Sequence, residues 1–460
     1  MALFKLDLDN PIAWLLAPLL PFAFLGGCAE GGSASSGCTE GETQLCTCTG
    51  EDVGAQVCEA DATWGPCDCS GGDADTDVDG DSDVDGDTDA DTDTCPDGFL
   101  GGVVEVSAGD GYTCALLNTG GLKCWGNNGL GQLGDGTMYN SYVPVNVVGL
   151  SSDVYGFSAG SWYVCAVMTY GGVKCWGGNG SGQLGDGATY YNSSVPVDVV
   201  GLSSAMEAVS AGSSHTCALM QSGGVKCWGN NYYSQLGDGT ADNSYVPVSV
   251  IGLSSNVDAV SVGNVSYTCV LLTMGGLKCW GYDGQGQLGD GIAGGHEITP
   301  VDVVGLSSGV EDISAGSNHT CVILASSGVE CWGGNDHGQL GDGTFDDSAV
   351  PVNVAGLPSG VEDVSAGYRH TCVVMTSGAV MCWGENTWGQ LGNGTCDDSA
   401  TPVSVVGLSS GVKSVAVGDD HTCVVMTSGG VKCWGDNEYG QLGVWPASFS
   451  NTPVDVVCGE

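Results

Sequence analysis

The sequence predicts an all-β chain in which a small disulfide-rich knob and an Asp-rich disordered linker precede a seven-bladed β-propeller of four-stranded blades. Three observations predict this fold. Two cysteines ten residues apart, followed by Trp-Gly, form a motif that returns every 51 or 52 residues and occurs seven times. Each copy holds four short β-type runs separated by Gly, Asn and Asp. No stretch has a helical period of apolar residues.

Residues 1–27 are typical of an export signal of the lipoprotein type. The apolar stretch from Trp14 to Leu25 is too short and too interrupted by proline to be a transmembrane helix. It ends in Leu-Gly-Gly-Cys, which resembles a bacterial lipobox, so Cys28 is expected to carry lipid. Ala29 then favours the outer membrane or cell surface. The n-region holds acidic residues where basic ones are expected, so plain secretion stays the alternative.

Residues 28–37 are rich in Gly and Ser and predict a flexible linker, and residues 38–69 predict a compact knob. Six cysteines in so short an exported segment indicate three disulfides, because the knob has almost no other apolar residue to form a core. Sequence leaves their connectivity open. A metal cluster is the less favoured alternative, because zinc sites usually have wider spacing within a cysteine pair. The six are Cys38, Cys46, Cys48, Cys58, Cys67 and Cys69.

Residues 70–94 form an Asp-rich spacer in which every second residue from Asp73 to Asp93 is aspartate. Charges that repel, with little apolar surface to bury, predict an extended and solvated segment. Part of the spacer resembles the first half of an EF-hand loop, but the bidentate Glu that completes the calcium shell is missing. Weak calcium binding is therefore the alternative, and its ligands would be Asp75, Asp77, Asp79, Asp81, Asp83 and Asp85.

Residues 95–460 hold the seven copies. The sixth contains Gly-Tyr-Arg-His370-Thr371, then Cys382-Trp383-Gly384, then Gly-Gln390-Leu-Gly. In these motifs the chain resembles the regulator of chromosome condensation repeat family, over about three quarters of its length. The resemblance implies a seven-bladed propeller. It does not imply a partner, because members range from nucleotide-exchange factors for a nuclear small GTPase to a secreted inhibitor of β-lactamases.

A proline marks the fourth run of every copy. We place it at the start of the fourth strand, and because proline cannot donate to a β-ladder, it suits either the beginning of a strand or an edge strand. The seven are Pro144, Pro196, Pro247, Pro300, Pro351, Pro402 and Pro453.

The paired cysteines of each copy are expected to form disulfides within a blade, because a hairpin can bring residues ten apart directly opposite each other. Buried free thiols are the alternative. Cys95 and Cys458 flank the array, and a disulfide between them would latch the ring closed. Cys396 would then be the odd cysteine, either free or bonded to another molecule. The expected blade pairs are Cys114 with Cys124, Cys165 with Cys175, Cys217 with Cys227, Cys269 with Cys279, Cys321 with Cys331, Cys372 with Cys382, and Cys423 with Cys433.

Two further repeated positions carry polar side chains, and both are interpreted as structural. Histidine or tyrosine stands before the first cysteine of each pair, and the exchange of the two favours a hydrogen-bonding role over a metal ring. Aspartate in Gly-Asp-Gly is interpreted as a turn residue and not as a catalytic acid. The residues are His215, His319, His370, His421, Tyr112, Tyr163 and Tyr267, and Asp135, Asp186, Asp238, Asp290 and Asp342.

A net charge of −46, with 8 Lys and Arg against 54 Asp and Glu, argues against nucleic acid as a partner. No nucleophile stands beside a base, and no Gly-rich phosphate loop opens a helix. Function is therefore expected in the loops that differ between copies, where exposed aromatics suit binding. The alternative is that these aromatics only cover turns. The candidates are Tyr139, Tyr142, Tyr190, Tyr191, Tyr232, Tyr233, Trp388 and Trp445.

These observations favour a non-catalytic, monomeric cell-surface lipoprotein that presents a propeller to an extracellular protein or ligand, with no cofactor except the calcium alternative. It would touch the membrane only through its lipid. One alternative is a secreted propeller inhibitor of an enzyme. Another is a lyase or hydrolase using the mouth of the propeller channel, for which His296 and His337 are the histidines outside the repeated position.

Overall fold

The computed structural model of the protein describes residues 98–188, 190–445 and 447–458, together with the backbone of 43–47 and 53–57. The chain divides into two units, of which one is Ala29–Asp93. In that unit β1 (Thr43–Thr47) and β2 (Val53–Val57) form an antiparallel pair. The described residues contain no helix that is both long and apolar enough to cross a membrane.

The other unit contains seven antiparallel sheets of four strands, each with its strands in chain order. The inner strands are β3 (Val103–Ala108), β7 (Val154–Ala159), β11 (Met206–Ala211), β15 (Val257–Gly263), β19 (Val310–Ala315), β23 (Val361–Ala366) and β27 (Val412–Val417). The second strands are β4 (Tyr112–Leu117), β8 (Tyr163–Met168), β12 (His215–Met220), β16 (Tyr267–Leu272), β20 (His319–Leu324), β24 (His370–Met375) and β28 (His421–Met426).

The third strands are β5 (Leu122–Gly126), β9 (Val173–Gly177), β13 (Val225–Gly229), β17 (Leu277–Tyr282), β21 (Val329–Gly333), β25 (Val380–Gly384) and β29 (Val431–Asp436). The outer strands are β6 (Ser141–Asn146), β10 (Ser193–Asp198), β14 (Ser244–Ser249), β18 (His296–Asp302), β22 (Ser348–Asn353), β26 (Ser399–Ser404) and β30 (Phe449–Asp455). The predicted seven-bladed propeller of four-stranded blades is confirmed.

The repeated proline lies on an edge strand, which was one of the two predicted places, but inside that strand rather than at its start. The outer strand of blade 1 begins at Ser141, so Pro144 is inside it and not at its start. The register shifts there, since Ser141 faces Gly126 while Val145 faces Cys124. A bulge on an edge strand leaves residues without a ladder partner, which is where proline is tolerated.

Each blade is crossed by one disulfide between its second and third strands. In blade 3, Cys217 on β12 lies directly opposite Cys227 on β13, as a hairpin with that loop length requires. The paired cysteines lie fully buried in the cores between sheets, and as disulfides they are not the free thiols of the alternative. All seven predicted pairs are present, joining Cys114 to Cys124, Cys165 to Cys175, Cys217 to Cys227, Cys269 to Cys279, Cys321 to Cys331, Cys372 to Cys382, and Cys423 to Cys433.

The hydrophobic cores lie between blades rather than within them. One core joins Leu116 and Leu133 of blade 1 to Val164 and Trp176 of blade 2. The tryptophan is fully buried, and its Nε1 donates to the carbonyl of Gln132 in the preceding blade at 3.0 Å. The same Trp-to-Gln bond is present at all seven junctions, so the repeated Trp-Gly and Gly-Gln-Leu-Gly motifs fasten one blade to the next.

The ring closes between blades 7 and 1. Leu100 N donates to the carbonyl of Val456 at 3.0 Å, and Phe99 pairs with Val457 in a short antiparallel bridge. Cys458 is disulfide-bonded. Cys95 lies outside the described residues, so the pairing of the two as a latch stays a prediction.

Cys396 is also disulfide-bonded. The expectation that it is the odd cysteine was therefore wrong: it rested on pairing Cys95 with Cys458 and the knob cysteines among themselves. The knob cysteines, Cys28 and the aspartates of the spacer lie outside the described residues.

Candidate functional site

The repeated histidine joins neighbouring second strands. His215 Nε2 lies 2.9 Å from Thr268 Oγ1 of the next blade, and that hydroxyl donates its proton to the carbonyl of Gln235. The nitrogen must therefore be the donor, which fixes the Nε2–H tautomer. Burial lowers the pKa of His215 to about 3 and keeps the ring neutral. The same His–Thr contact recurs at His319, His370 and His421.

Tyrosine makes a similar contact with the next blade where it replaces histidine. The hydroxyl of Tyr163 donates to the carbonyl of His215 at 2.6 Å and lies 2.9 Å from Thr216 Oγ1. Both residue types thus reach the next blade, which explains their exchange. Asp135 of Gly-Asp-Gly accepts bonds from Thr137 N and Oγ1 within its own loop, as a turn residue does.

The ends of the inner strands surround a small polar cavity, which we call the tunnel. Its volume is about 170 Å³, and it is lined mainly by Ser, Ala and Gly, together with Val262, Asn264 and Val417. Ser107 Oγ accepts a bond from Ala159 N of the next inner strand at 3.1 Å. Equivalent serine bonds follow around the ring as far as Ser365, which accepts from Val417 N. The seventh blade has Ala416 at this position. The tunnel wall is thus built of repeated residues.

One end of the tunnel is surrounded by residues that do not repeat. The loops that follow the inner strands carry them, and we call Asp110, Trp162, Asn264, Asp419 and Asp420 the mouth cluster. Asn264 Nδ2 reaches from blade 4 to Asp419 Oδ1 of blade 7 at 3.4 Å, which spans the mouth. Trp162 Nε1 donates to Asp110 Oδ2 at 2.7 Å. The mouth is therefore mainly acidic, with an amide, an indole and the guanidinium of Arg369 beside the carboxylates.

The carboxyl groups of the mouth hold their protons more tightly than free aspartates. Burial and then the nearby Asp110 and Asp420 raise the pKa of Asp419 well above its usual value. Burial, and after it Glu385 and Asp436, raises the pKa of Asp420 to about 7, although the nearby Arg369 lowers it. Carboxylates that crowd each other in a partly dry site are stabilised by a cation from outside.

The predicted aromatic loops lie on this same face. The chain reverses at every turn of a blade, so the loop between its third and outer strands is at the same end as the loop after its inner strand. The contacts agree, since the ring of Tyr439 in the last outer loop lies against Gly111 beside the mouth. Sequence reasoning missed the mouth cluster and Tyr439, although a column-by-column comparison of the repeats would have shown the inner loops to be variable.

The predicted aromatic residues form small groups at blade junctions and not one patch. Tyr142 and Trp445 meet edge to face at 4.3 Å between blades 1 and 7. Tyr233 contacts Tyr232 of its own loop and Tyr282 of blade 4. Tyr139, Tyr190, Tyr191 and Tyr232 are exposed and Trp388 is half-buried.

The two histidines outside the repeat are not brought together. His337 Nδ1 lies 3.2 Å from Asp398 Oδ2, whereas His296 on β18 lies beside Tyr233. Among the residues that the structure describes, no three His, Cys, Asp or Glu side chains are placed to hold a metal ion.

Two family models match the blades, and both are described as the Regulator of chromosome condensation (RCC1) repeat. One matches 120–167, 170–219, 222–271, 275–323, 329–374 and 377–425. The other matches 103–132, 207–235, 310–339, 361–390 and 412–441.

Relatives and solved structures agree with these matches. The ultraviolet-B receptor UVR8 of Arabidopsis thaliana is 30% identical over 363 residues, which are 76% of this chain and 81% of the receptor. The E3 ubiquitin-protein ligase HERC2 of Homo sapiens is 31% identical over 347 residues, 73% of this chain but 7% of the ligase. Yeast RCC1 (Prp20), solved with Kap60, has a TM-score of 0.65 at 22% identity, covering 73% of this chain and 83% of the yeast chain. Human WBSCR16 has a TM-score of 0.62 at 23% identity, covering 70% and 85%. The chain belongs to the regulator of chromosome condensation repeat family.

Proposed function

We propose that the propeller is a non-catalytic recognition module that binds a basic protein partner through the face around the tunnel mouth. The observation that carries the proposal is the separation of repeated from variable residues. The repeated Trp, Gln, His, Thr and Ser side chains fasten the blades, whereas the variable residues collect around the mouth. Binding in a propeller is expected where copies differ.

A basic partner fits the charge of this face. Asp110, Asp419 and Asp420 crowd each other there, Arg369 offsets only part of their charge, and a cation from the partner relieves the remaining repulsion. Exposed tyrosines such as Tyr139 and Tyr232 add contact area around the mouth at little entropic cost. Yeast RCC1 (Prp20), which has the same fold, was solved with the protein Kap60 bound to it, and this supports a protein partner.

The test compares two variants with the same change in charge. The mouth variant carries Asp110→Asn, Asp419→Asn and Asp420→Asn. The control carries Glu207→Gln, Glu311→Gln and Glu362→Gln, which are exposed near the start of the inner strands, at the other end of the tunnel. The oxidised, biotinylated full chain is photo-crosslinked to intact cells and to culture medium, with and without EDTA, and captured proteins are quantified by mass spectrometry.

We expect the wild-type chain and the control to capture the same partner, and the mouth variant to lose it by about tenfold or more. A partner captured equally by the mouth variant contradicts the proposal. Loss on EDTA treatment would show that calcium bridges the partner, which is the cofactor alternative of the Asp-rich spacer.

We also propose that the propeller is exported and anchored at the cell surface or outer membrane by lipid on Cys28. The seven disulfides within blades support export, because such bonds persist in oxidising compartments. In cells fed labelled palmitate, the wild-type chain should carry label and Cys28→Ser should not. Label that persists in the variant contradicts the lipid anchor, and unlabelled wild-type protein in the medium supports plain secretion.

A further inference from the structure

The third strand of most blades carries a lysine that is held by its own blade. The amine of Lys174 on β9 lies 2.6 Å from Asp198 on the facing outer strand, and Lys278 and Lys432 make the same ion pair. Their side chains are only 25%, 28% and 27% exposed. The aliphatic stem of each lysine therefore lies over the blade, and its ammonium group is paired with a carboxylate. This is the usual arrangement of lysine on partly apolar surfaces.

Blade 5 reverses the charge at this position. Glu330 on β21 stands where blades 1 to 4 and 7 have lysine, and it faces Asn353 on β22. Among the described residues no Lys, Arg or His nitrogen lies within ion-pair distance of its carboxylate, and no side-chain hydrogen bond reaches it. Burial raises the pKa of the Glu330 carboxyl group. Blade 5 thus holds a half-buried acid without a counter-charge.

An open groove lies beside this carboxylate. It has a volume of about 640 Å³ and is lined by Val304 and Leu306 from the link between blades 4 and 5, by Leu324, and by Val350 on β22. Val304 and Val350 remain 47% and 39% exposed. The apolar residues belong to the repeat, since Val148 and Val195 hold the same places beside Lys174 in blade 2. Those two valines are 49% and 37% exposed, so the apolar ground is equally open there, and what distinguishes blade 5 is the acid that stands in place of lysine beside it.

We propose that the groove beside Glu330 binds a lysine side chain of a partner protein. The stem would lie along Val304 and Val350, and the ammonium group would pair with Glu330. The partner thereby supplies what Lys174, Lys278 and Lys432 supply within their own blades. Lysine is the occupant that this groove fits, because its aliphatic stem matches the apolar lining and its ammonium group supplies the positive charge that Glu330 lacks.

This site is distinct from the mouth face. The links between blades and the turns between second and third strands lie at the opposite end of each blade from the mouth cluster. The site therefore does not rest on the function proposed above, and a variant at Glu330 leaves the mouth residues unchanged.

The test uses the oxidised full chain and three libraries of capped nonapeptides, randomised around a fixed central lysine, norleucine or glutamate. We expect the immobilised protein to retain the lysine library about tenfold more than the norleucine library. Glu330→Gln should remove most of this preference. Glu330→Lys, which restores the residue of the other blades, should abolish it. The matched control Glu311→Lys has the same charge change on an exposed site of blade 5 and should bind as the wild type does.

Several results would overturn the proposal. They are equal retention of the lysine and norleucine libraries, a preference for glutamate, and binding that survives Glu330→Lys. Sedimentation velocity is run in parallel, with a monomer expected. A dimer that Glu330→Lys dissociates would show that a second copy of this chain occupies the groove, which contradicts the assignment to a different protein.

Discussion

The junction between blades 6 and 7 and the junction between blades 7 and 1 share most of their contacts. Trp434 donates to the carbonyl of Gln390 at 2.8 Å in the first, and Trp125 donates to that of Gln441 at 2.9 Å in the second. His370 and His421 each lie 2.8 Å from the threonine hydroxyl of the following blade. The repeated motifs therefore act in the same way whether the blades are neighbours in sequence or at opposite ends of it.

The two junctions differ at the inner strands. Ser365 accepts a bond from Val417 N at the ordinary junction, but Ala416 has no hydroxyl to offer at the closing one. There Lys413 Nζ instead donates to the carbonyl of Val104, and Leu100 pairs with Val456 at the outer edge. Ring closure thus combines repeated contacts with others that only chain ends can make.

The largest expected effect tests whether the two junctions are equally strong. Trp125→Ala and Trp434→Ala each remove a fully buried ring, and each should lower the free energy of unfolding by about 3–5 kcal/mol. Denaturant unfolding of the oxidised chain, followed by circular dichroism, measures both. A markedly greater loss in Trp125→Ala would show that the closing junction is the weaker one and would break the equivalence.

The second comparison concerns the disulfides of the two blades at the closure. Replacing Cys114 and Cys124 together by Ala, or Cys423 and Cys433 together by Ala, should cost about 2–3 kcal/mol each. The costs should agree because each bond closes a hairpin inside its own blade and does not cross the junction. Unequal shifts in the denaturation midpoint of the two double variants would contradict this independence.

The repeated part of this molecule could be predicted from the sequence, and the unrepeated part could not. Each blade reuses the same Cys, Trp and Gly spacing, so one correct interpretation of a copy applied seven times. The mouth cluster joins Asn264 to Asp419 across 155 residues, a proximity that exists only after the ring has closed. Glu330 was within reach of the sequence, because its column holds lysine in five other blades, but its open groove depends on packing between two blades.

The third comparison uses the pH dependence of stability, to which one acidic residue at each junction should contribute. Burial raises the pKa of Glu105 in blade 1 to about 7 despite the nearby Lys413, and it raises that of Asp363 in blade 6 to about 6. A carboxyl group with a raised folded pKa binds more protons in the native state, so its contribution to stability falls as pH rises from its ordinary value to the folded one. Both groups should therefore make the folded protein less stable as the pH rises from about 4 to about 7.

Glu105→Gln should reduce the fall in melting temperature with rising pH over the upper part of that range. Asp363→Asn should reduce it over the lower part. The amide at 363 can still accept the bond that Val415 N donates to the carboxylate at 2.8 Å, so the fold is preserved. Thermal unfolding across the range measures both variants. Unchanged slopes would show that neither group keeps its proton in the native ring.

The smallest effect addresses the serine bond that the ordinary junction has and the closing junction lacks. Ser365→Ala removes a hydroxyl that accepts from Val417 N at 3.1 Å and should cost about 1 kcal/mol. Ala416→Ser would place a hydroxyl where the other six blades have one, beside the backbone of blade 1, and should stabilise the ring by about 0.5 kcal/mol. Denaturant midpoints measure both variants, and the double variant measures their coupling, because Ser365 bonds to the amide that follows residue 416. If Ala416→Ser instead destabilises the ring, the closing junction is packed for alanine. The missing serine would then be part of how the chain ends meet, not a gap that the contacts of Lys413 and Leu100 offset.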